Sequence, residues 1–193
     1  MGSKGLTKEI IVQEAVALIE ESGQWVISLH ELARRLQIKT PSLYNHIANT
    51  KDLQREVFLC AIHRFVENQK AAIAGKEKDE AIRAFARAYF AFASENKGLY
   101  RLIMSMPLNN DEAEKEMAVP LLETVMELLA GYGLSREACA HWQRVLRAIL
   151  HGFISQEDMG YLYYYTDTEL EKSREVAIQC FLNGLHAEAS HIE

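Results

Sequence analysis

Apolar residues recur at intervals of three and four along almost the whole chain, and few residues interrupt this spacing. The 193 residues include only 3 prolines and 10 glycines, so the turns on which an all-β fold depends are scarce. Apolar segments begin after capping residues such as Thr7, Ser28 and Ser135, and the first of them ends before Gly23. Pro120 falls inside a later segment, which it should kink or split. The pattern predicts an all-α chain of about nine helices.

Charge is distributed unevenly along the chain. The formal charge is −6, from 21 basic and 27 acidic residues, which excludes a uniformly basic nucleic-acid binder. Residues 1–55 carry seven basic and six acidic residues, so the remaining 14 basic and 21 acidic residues give −7. Residues 32–51 hold four basic residues and no acid. Because the screening length is about 8 Å at physiological salt, such a patch can contact phosphates, although a cluster of four is also typical of a solvated surface.

Several classes of protein are disfavoured by what the sequence lacks. No stretch approaches the roughly 18 uncharged apolar residues of a membrane span, and the N-terminus has no apolar signal core. Cys60, Cys139 and Cys180 are odd in number and far apart, which is typical of reduced thiols in the cytoplasm. There is no glycine-rich phosphate loop or nucleophile elbow. We therefore expect a cytoplasmic protein that is not an enzyme, with no membrane partner, no metal and no cofactor.

Two short helices predicted between Ser28 and Ile47, of about nine and seven residues, carry the functional argument. Ser28 with Glu31 forms a capping-box pattern for the first. Thr40 followed by Pro41 predicts the N-cap and first residue of the second. Helices this short must pack against neighbouring helices to be stable, which gives a helix-turn-helix unit. The second helix of such a unit can lie in the DNA major groove. The side chains facing outward from that helix would be those of Lys39, Thr40, Ser42, Asn45 and His46, with Tyr44 beside the backbone.

Residues 7–53 resemble the DNA-binding domain of the TetR family of bacterial transcription regulators. The centre of the resemblance is the run Thr-Pro-Ser-Leu-Tyr-Asn-His-Ile at 40–47. The combination of this run with its flanking residues is specific. The flanking residues that match are Thr7, Ala15, Leu18, Gly23, Ser28, Leu32, Ala33 and Leu36 before the run, and Asn49, Lys51 and Leu53 after it.

The resemblance implies how these residues contact DNA, with phosphate contacts setting the register and base contacts the sequence preference. Gln37 stands where glycine is usual in the turn, so it must adopt a left-handed conformation or a different turn. Thr50, the predicted cap of the fourth helix, stands where many relatives have lysine, which would weaken a phosphate contact or shift it to Lys51. The implied phosphate contacts are Ser28, Tyr44, His46 and Thr50, with Lys39, Thr40, Ser42 and Asn45 facing bases or nearby phosphates. Together with Pro41 and Lys51, these are the ten predicted DNA-contact residues.

The last two long helices are predicted at about 135–159 and 166–189. Each carries an apolar stripe about 140° wide. Such stripes fit a helix wedged in a monomer core. The family resemblance implies instead a two-fold dimer of four packed helices, in which Gly152 and Gly184 would permit close approach. A dimer places two reading helices about 34–36 Å apart on a palindromic operator. The predicted dimer residues are Ile149, Gly152, Phe153, Ile178, Phe181 and Leu185.

Aromatic and methionine residues gather in the C-terminal part of the chain. For each single residue, packing in the core is the simpler explanation. Members of the family bind effectors in a cavity of this domain, and such side chains suit an apolar or aromatic effector. The tyrosine-rich run at 161–165 would cover the pocket, pack at an interface or anchor its own loop. The predicted pocket residues are Phe85, Tyr89, Phe92, Tyr100, Met104, Met126 and Trp142.

The resemblance implies a function divided between two domains. Residues 1–53 would bind double-stranded DNA, and residues 54–193 would bind an effector and dimerise. Trp142 with His151-Gly152 resembles the signature of the WHG-type C-terminal subgroup. The expected protein is a homodimeric regulator, commonly a repressor among relatives, whose effector shifts the population away from the DNA-binding state. The alternative is an all-helical interaction or small-molecule-binding protein without sequence-specific DNA binding.

Overall fold

The computed structural model describes residues 5–105, 112–164 and 168–190. These ranges contain nine α-helices, a short 3₁₀ turn at Tyr161–Tyr163 and no strand, so the all-α prediction is confirmed. None of the described helices has the length and apolar composition needed to cross a membrane. The helices are α1 (Lys8–Ser22), α2 (Leu29–Arg35), α3 (Thr40–Leu43), α4 (Thr50–Ile73), α5 (Lys78–Glu95), α6 (Lys97–Ser105), α7 (Glu112–Ala130), α8 (Arg136–Asp158) and α9 (Leu170–Ser190).

Capping residues start two of the longer helices where the sequence predicts, and Gly23 ends one of them. The Thr7 hydroxyl accepts a hydrogen bond from the amide of Ile10 at 3.3 Å, and Gly23 ends α1 with a φ of 65°. The Ser135 hydroxyl accepts from the amide of Ala138 at 3.1 Å and starts α8. These hydroxyls satisfy amides that have no partner inside the helix, so local sequence determines both starts.

α7 runs without interruption through Pro120, so the helix is not split there. Proline removes a single backbone donor, and the helix has 19 residues over which the remaining bonds are distributed. The hydroxyl of Thr124 donates to the carbonyl oxygen of Pro120 at 3.1 Å. Leu121 and Val125, just after the proline, are buried and stabilise the helix by packing.

The chain divides into two compact units, which are described separately below. The N-terminal unit comprises Met1–Phe65 and Phe92–Ala118, and the C-terminal unit comprises Val66–Ala91 and Val119–Glu193. The first part of α4 and all of α6 therefore belong to the same unit as the first three helices. The domain boundary expected after residue 53 stays a prediction.

In the N-terminal unit, α6 lies directly against α1. A Cβ added at Gly98 would lie 2.3 Å from the carbonyl oxygen of Ile19, so this crossing requires glycine. The rings of Phe65 and Phe92 meet edge to face with centroids 4.9 Å apart. α2 packs on α1, and α3 packs on α2. The most deeply buried residues of the unit include Ile11, Ala15, Val16, Ile19, Leu32, Leu43, Leu53, Val57 and Phe58.

In the C-terminal unit, α8 and α9 pack closely along each other. The rings of Trp142 and Phe181 lie 5.4 Å apart and nearly perpendicular, at 82°. A Cβ added at Gly184 would lie 2.8 Å from Cη2 of Trp142. Gly184 therefore permits close approach between two helices of one chain, and not the approach of two chains that the sequence suggests.

Candidate nucleic-acid interface

α2 is held by its N-cap and by its buried face. The Ser28 hydroxyl accepts from the amide of Glu31 at 3.3 Å, so the predicted N-cap is confirmed. The carboxylate of Glu31 accepts from the Arg34 guanidinium at 2.6 and 2.8 Å, and only the first bond of the predicted capping box forms. Leu32 and Ala33 are buried. α2 has seven residues, fewer than the nine expected.

A residue in the left-handed region closes the turn between α2 and α3. Gln37 has a φ of 56°, so it adopts the conformation that glycine usually supplies. The amide of Ile38 donates to the carbonyl of Ala33 at 3.0 Å, and the amide of Gln37 donates to the carbonyl of Arg34 at 3.1 Å. This pair of bonds is a Schellman motif, which satisfies carbonyls at a helix end. The motif offsets conformational strain of about 1–2 kcal/mol and sets the direction in which α3 leaves the turn.

α3 begins one residue earlier and ends sooner than predicted. Lys39, and not Thr40, occupies the N-cap position with an extended backbone, and Pro41 is the second helical residue. The difference arises because proline fits anywhere in the first turn, where amides have no helical partner. The helix itself has four residues, and turns continue it as far as His46, whose amide donates to the carbonyl of Leu43 at 2.9 Å.

Burial of one side of this segment leaves its polar side free. Leu43 and Ile47 are 0% and 2% exposed, whereas Tyr44 between them is 51% exposed. The polar side chains make no hydrogen bond or ion pair with other described residues, so they are available to a ligand. We call this set, together with Pro41, the α3 surface: Lys39, Tyr44 and Asn45 are exposed, and Thr40, Ser42 and His46 are half-buried.

Asn49, and not Thr50, caps α4. The side-chain oxygen of Asn49 accepts from the amide of Asp52 at 3.0 Å, and the carboxylate of Asp52 accepts from the amide of Ala48 at 3.0 Å. The predicted cap is wrong because α4 already begins at Thr50. The hydroxyl of Thr50 is therefore unused by the helix end. It lies with exposed Lys51 at a helix N-terminus, where amides and the helix dipole favour an anion.

The arginines of α2 are used inside the protein. Arg35 binds Glu14 at 3.3 Å and Glu21 at 2.8 Å, and both glutamates lie on α1. The hydrogen bond from Arg35 lowers the pKa of Glu21, and the hydrogen bond from Arg34 lowers the pKa of Glu31. The Arg35 pairs join α2 to α1, whereas Arg34 pairs within α2. Both sets of ion pairs reduce the charge that these arginines offer to DNA.

The basic patch expected at 32–51 consequently offers fewer unpaired cations than the sequence suggests. Its two remaining cations, Lys39 and Lys51, have exposed side chains and no ion-pair partner in the described part of the chain. Lys39 precedes α3, and Lys51 lies in the first turn of α4. A phosphate backbone would therefore meet two lysines and several neutral donors, which predicts a modest dependence of binding on salt.

Lys8 fixes the start of α4 against α1. Its ammonium lies 2.8 Å from the carboxylate of Glu56 and 3.1 Å from that of Asp52. The hydrogen bonds to Glu56 and then Asp52 raise the pKa of Lys8. The pKa of Asp52 is lowered, first by the amide of Ala48 and then by Lys8. These bonds hold Thr50 at the edge of the helix-turn-helix unit.

Most of the predicted pocket residues are core residues of one unit or the other. The rings of Phe85 and Tyr89 lie 6.0 Å apart in the C-terminal unit, and both residues are buried. Met126 differs, because it lines a cavity between α7 and α8. The pocket assignment stays a prediction. Of the remaining members, Phe92 and Tyr100 are buried and Met104 is half-buried in the N-terminal unit, and Trp142 is half-buried in the C-terminal unit.

Three of the predicted dimer residues pack within the chain. Ile178, Phe181 and Leu185 are 5%, 3% and 0% exposed. Their apolar stripe covers α8 of the same chain, as the contact between Phe181 and Trp142 illustrates. They therefore present little surface to a second copy.

The other predicted dimer residues are half-buried and lie on α8. These are Ile149, Gly152 and Phe153, and a Cβ added at Gly152 would meet no atom within 4 Å. Val145 on α8 and Val176 on α9 are 44% and 53% exposed. Apolar surface thus remains on both helices, and the dimer itself stays a prediction.

The tyrosine-rich run is largely exposed. Tyr161, Tyr163 and Tyr164 are exposed, and Tyr165 lies outside the described residues. The hydroxyl of Tyr163 donates to the carboxylate of Glu157 at 2.8 Å, and this bond raises the pKa of Tyr163. At least one tyrosine therefore anchors the loop to the end of α8.

Three arginines of α8, which are not among the site residues predicted from sequence, share a cavity. Arg136, Arg144 and Arg147 line the space between α7 and α8 together with Met126. A sequence signal for them exists. None has an acid three or four residues away, which is the spacing at which ion pairs form along a helix.

The N-terminal unit thus carries a second short helix with an unpaired polar surface, and Val66–Ala91 with Val119–Glu193 form a second helical unit. This arrangement defines the class of helix-turn-helix DNA-binding proteins. A family model described as "Tetracyclin repressor-like, C-terminal domain" matches residues 82–181. The HTH-type transcriptional regulator Rv0681 of Mycobacterium tuberculosis, named as uncharacterized, is 31% identical over 156 residues, which are 80% of this chain and 72% of that protein.

Two further comparisons extend the match over nearly the whole chain. YobS of Bacillus subtilis, also named as an uncharacterized HTH-type transcriptional regulator, is 28% identical over 185 residues, 94% of this chain and 93% of that protein. The crystal structure of the TetR family protein ActR of Streptomyces coelicolor in complex with actinorhodin has a TM-score of 0.68 at 19% identity, over 95% of this chain and 98% of ActR. At that identity the likeness shows the fold alone.

This chain belongs to the TetR family of helix-turn-helix transcription regulators. The family model and the M. tuberculosis relative show this together, and they confirm the resemblance that residues 7–53 suggest. Both curated relatives are named as regulators of transcription, in keeping with a role other than catalysis. The WHG-type subgroup is not shown by these matches and stays a prediction.

Proposed function

We propose that this chain is a homodimeric, ligand-responsive transcription repressor that binds a palindromic operator through the α3 surface. The observation that carries the proposal is the contrast between buried Leu43 and Ile47 and the unpaired polar side chains around them. Polar groups that serve folding in this unit have partners, as Arg35 does. The α3 surface contributes no such bond to the described chain, and a duplex would supply the missing partners.

The proposed contacts follow from the donors that remain available. The Ser28 hydroxyl accepts from the amide of Glu31, which leaves its own proton free for a phosphate oxygen. Tyr44, His46 and Thr50 would also donate to phosphates. Lys39, Thr40, Ser42 and Asn45 would meet base edges or nearby phosphates, and Lys51 would add a cation beside Thr50.

The geometry of operator reading supports a dimer. One α3 surface reads one half-site, and a two-fold axis brings a second copy to the next major groove, about 34–36 Å away. Val145 and Val176 leave apolar surface on α8 and α9, and a partner that covered it would be favoured by the hydrophobic effect. Ile149, Gly152 and Phe153 lie on the same helix as Val145 and would join this contact.

The effector response is supported by the likeness to ActR, whose structure contains actinorhodin. An effector changes DNA affinity only through its differential affinity for the two states, and typical couplings change affinity by about 5- to 150-fold. α4 belongs to both units, with Lys51 and Leu53 near its start. It is therefore the element proposed to link effector binding to the position of the α3 surface.

Selection of bound duplexes from a random pool tests the operator, and we expect a palindromic site to be enriched. On that site, Tyr44→Phe should weaken binding about fivefold and Lys39→Ala about tenfold, since each removes one hydrogen bond to a charged group. Lys39→Ala should also lower the salt slope by about one ion. Lys70→Ala, the same change of charge at an exposed residue of α4, is the matched control and should leave affinity within about twofold.

Two outcomes would count against this proposal. Enrichment of unrelated sequences would favour an all-helical interaction or small-molecule-binding protein without sequence-specific DNA binding. Unchanged binding of both Tyr44→Phe and Lys39→Ala to an enriched palindrome would remove the α3 surface from the contact.

A further inference from the structure

The cavity between α7 and α8 has a volume of about 560 Å³. We call it the α7–α8 cavity, and it lies entirely within the C-terminal unit. Ligand pockets in proteins typically measure about 300–1,000 Å³. The space is therefore large enough for a small organic molecule.

Three cations without partners define the chemistry of this cavity. Arg136, Arg144 and Arg147 line it, and none has an ion pair or a side-chain hydrogen bond with another described residue. Among the described residues Glu123 is the one acid that lines it, so their formal charges sum to +2. This concentration is unexpected in an acidic protein, and arginines three residues apart on a helix repel each other. Unpaired arginines this close together do not stabilise the fold, but an anion bound in the cavity would neutralise their repulsion.

An uncharged polar side chain also lines this cavity. Gln143 lines the cavity and is 7% exposed as a residue; its amide makes no hydrogen bond with another described residue and keeps contact with solvent. A side-chain amide offers two donors and an acceptor, so the amide of Gln143 is available to a molecule bound in the cavity. A ligand bearing oxygen atoms would satisfy the amide and the neighbouring guanidinium groups at once.

We propose that the α7–α8 cavity binds a small organic anion that carries a phosphate or carboxylate group. Arg144 and Arg147 hold that acidic group, because the guanidinium fork matches the geometry of an oxyanion. Gln143 donates to the same group or to a neighbouring oxygen. Arg136, eight residues from Arg144, lies about 12 Å away along the helix axis, which favours ligands that carry a second acidic group.

The apolar part of such a ligand also has a place. Leu122 and Met126 of α7 and Ala140 of α8 complete the lining. This ligand class differs from the apolar or aromatic effector expected from the sequence, because most aromatic residues on which that expectation rested are buried in the core. The link from this site to release of DNA rests on the proposed function, whereas the binding itself does not.

Isothermal titration calorimetry without DNA tests the site directly. The probes are pyrophosphate, citrate and uncharged glycerol. We expect at least one anion to bind and glycerol not to bind, and the tighter of the two anions assigns the acidic group to phosphate or carboxylate. Arg144→Gln combined with Arg147→Gln should weaken binding at least tenfold, and Arg144→Lys with Arg147→Lys should fall between this variant and the parent.

Arg87→Gln is the matched control, since Arg87 is an exposed arginine of α5 that lines a different, smaller cavity of the same unit. It should change affinity less than twofold. If the melting temperature of the double variant is lower than that of the parent, the single change Arg136→Gln replaces it as the test. Arg136 is exposed on α8, and this change should still weaken binding at least threefold. Absence of binding by both anions, or arginine variants that bind like the parent, would overturn the proposal. Intact binding without release of the operator would count against the proposed effector response alone.

Discussion

Replacement of Gly98 by alanine tests the packing that supports the helix-turn-helix unit. The added Cβ would lie 2.3 Å from the carbonyl oxygen of Ile19 and 2.7 Å from its Cγ2, whereas ordinary contacts begin at 3.4 Å. The carbonyl cannot retreat easily, because it accepts from the amide of Gly23 at 3.0 Å and so belongs to the end of α1. α6 would therefore have to move away from α1.

The size of the effect follows from two opposing contributions. Overpacking of a core typically costs about 1–3 kcal/mol, and the upper end applies here because the opposing atom is backbone. Alanine favours the helical state over glycine by about 1 kcal/mol. We therefore expect Gly98→Ala to lower the free energy of unfolding by about 2 kcal/mol.

Urea denaturation followed by circular dichroism measures this loss. Gly152→Ala is the control, because it makes the same change inside α8, where the added Cβ meets no atom within 4 Å. It should raise the free energy of unfolding by about 0.5–1 kcal/mol. Both variants should be measured at two protein concentrations, since Gly152 lies on the proposed dimer surface. A Gly98→Ala protein as stable as the parent would refute the described crossing of α1 and α6.

Three further predictions concern the turn, the start of α4 and the dimer. Gln37→Gly removes conformational strain of about 1–2 kcal/mol from the folded state. It also increases the entropy of the unfolded state, which costs about 0.4–1 kcal/mol of stability. Urea denaturation should therefore show slight stabilisation, and clear destabilisation would contradict the left-handed turn. The pKa of Asp52 is lowered on folding, so its contribution is present above the unfolded pKa and lost as pH falls through the folded one. Asp52→Asn should thus be less stable near neutral pH and lose less stability on acidification in melting curves; parallel curves would contradict this. Val145→Glu, at an exposed site, should yield monomers in analytical ultracentrifugation without lowering the melting temperature, and persistent dimers would exclude this face.

The helices and the helix-turn-helix motif could be predicted because their determinants are local. Thr7, Ser28 and Ser135 each bond an amide three residues away, and apolar spacing within each helix selects the buried side. The residues at 40–47 are contiguous, so one short run carries most of the candidate site. Local reasoning was wrong by one residue at two helix starts, because proline and hydroxyl residues are compatible with neighbouring positions there.

Only the tertiary structure decided which side chains are available for function. Arg35 is removed from the basic patch by Glu14 and Glu21, 21 and 14 residues away in sequence. Phe181 packs on Trp142 inside the chain, whereas Val145 stays exposed. Helix formation depends on neighbours within four residues, which a sequence displays directly. Burial and ion pairing depend on residues that only packing brings together, and so does the gathering of three arginines around one cavity.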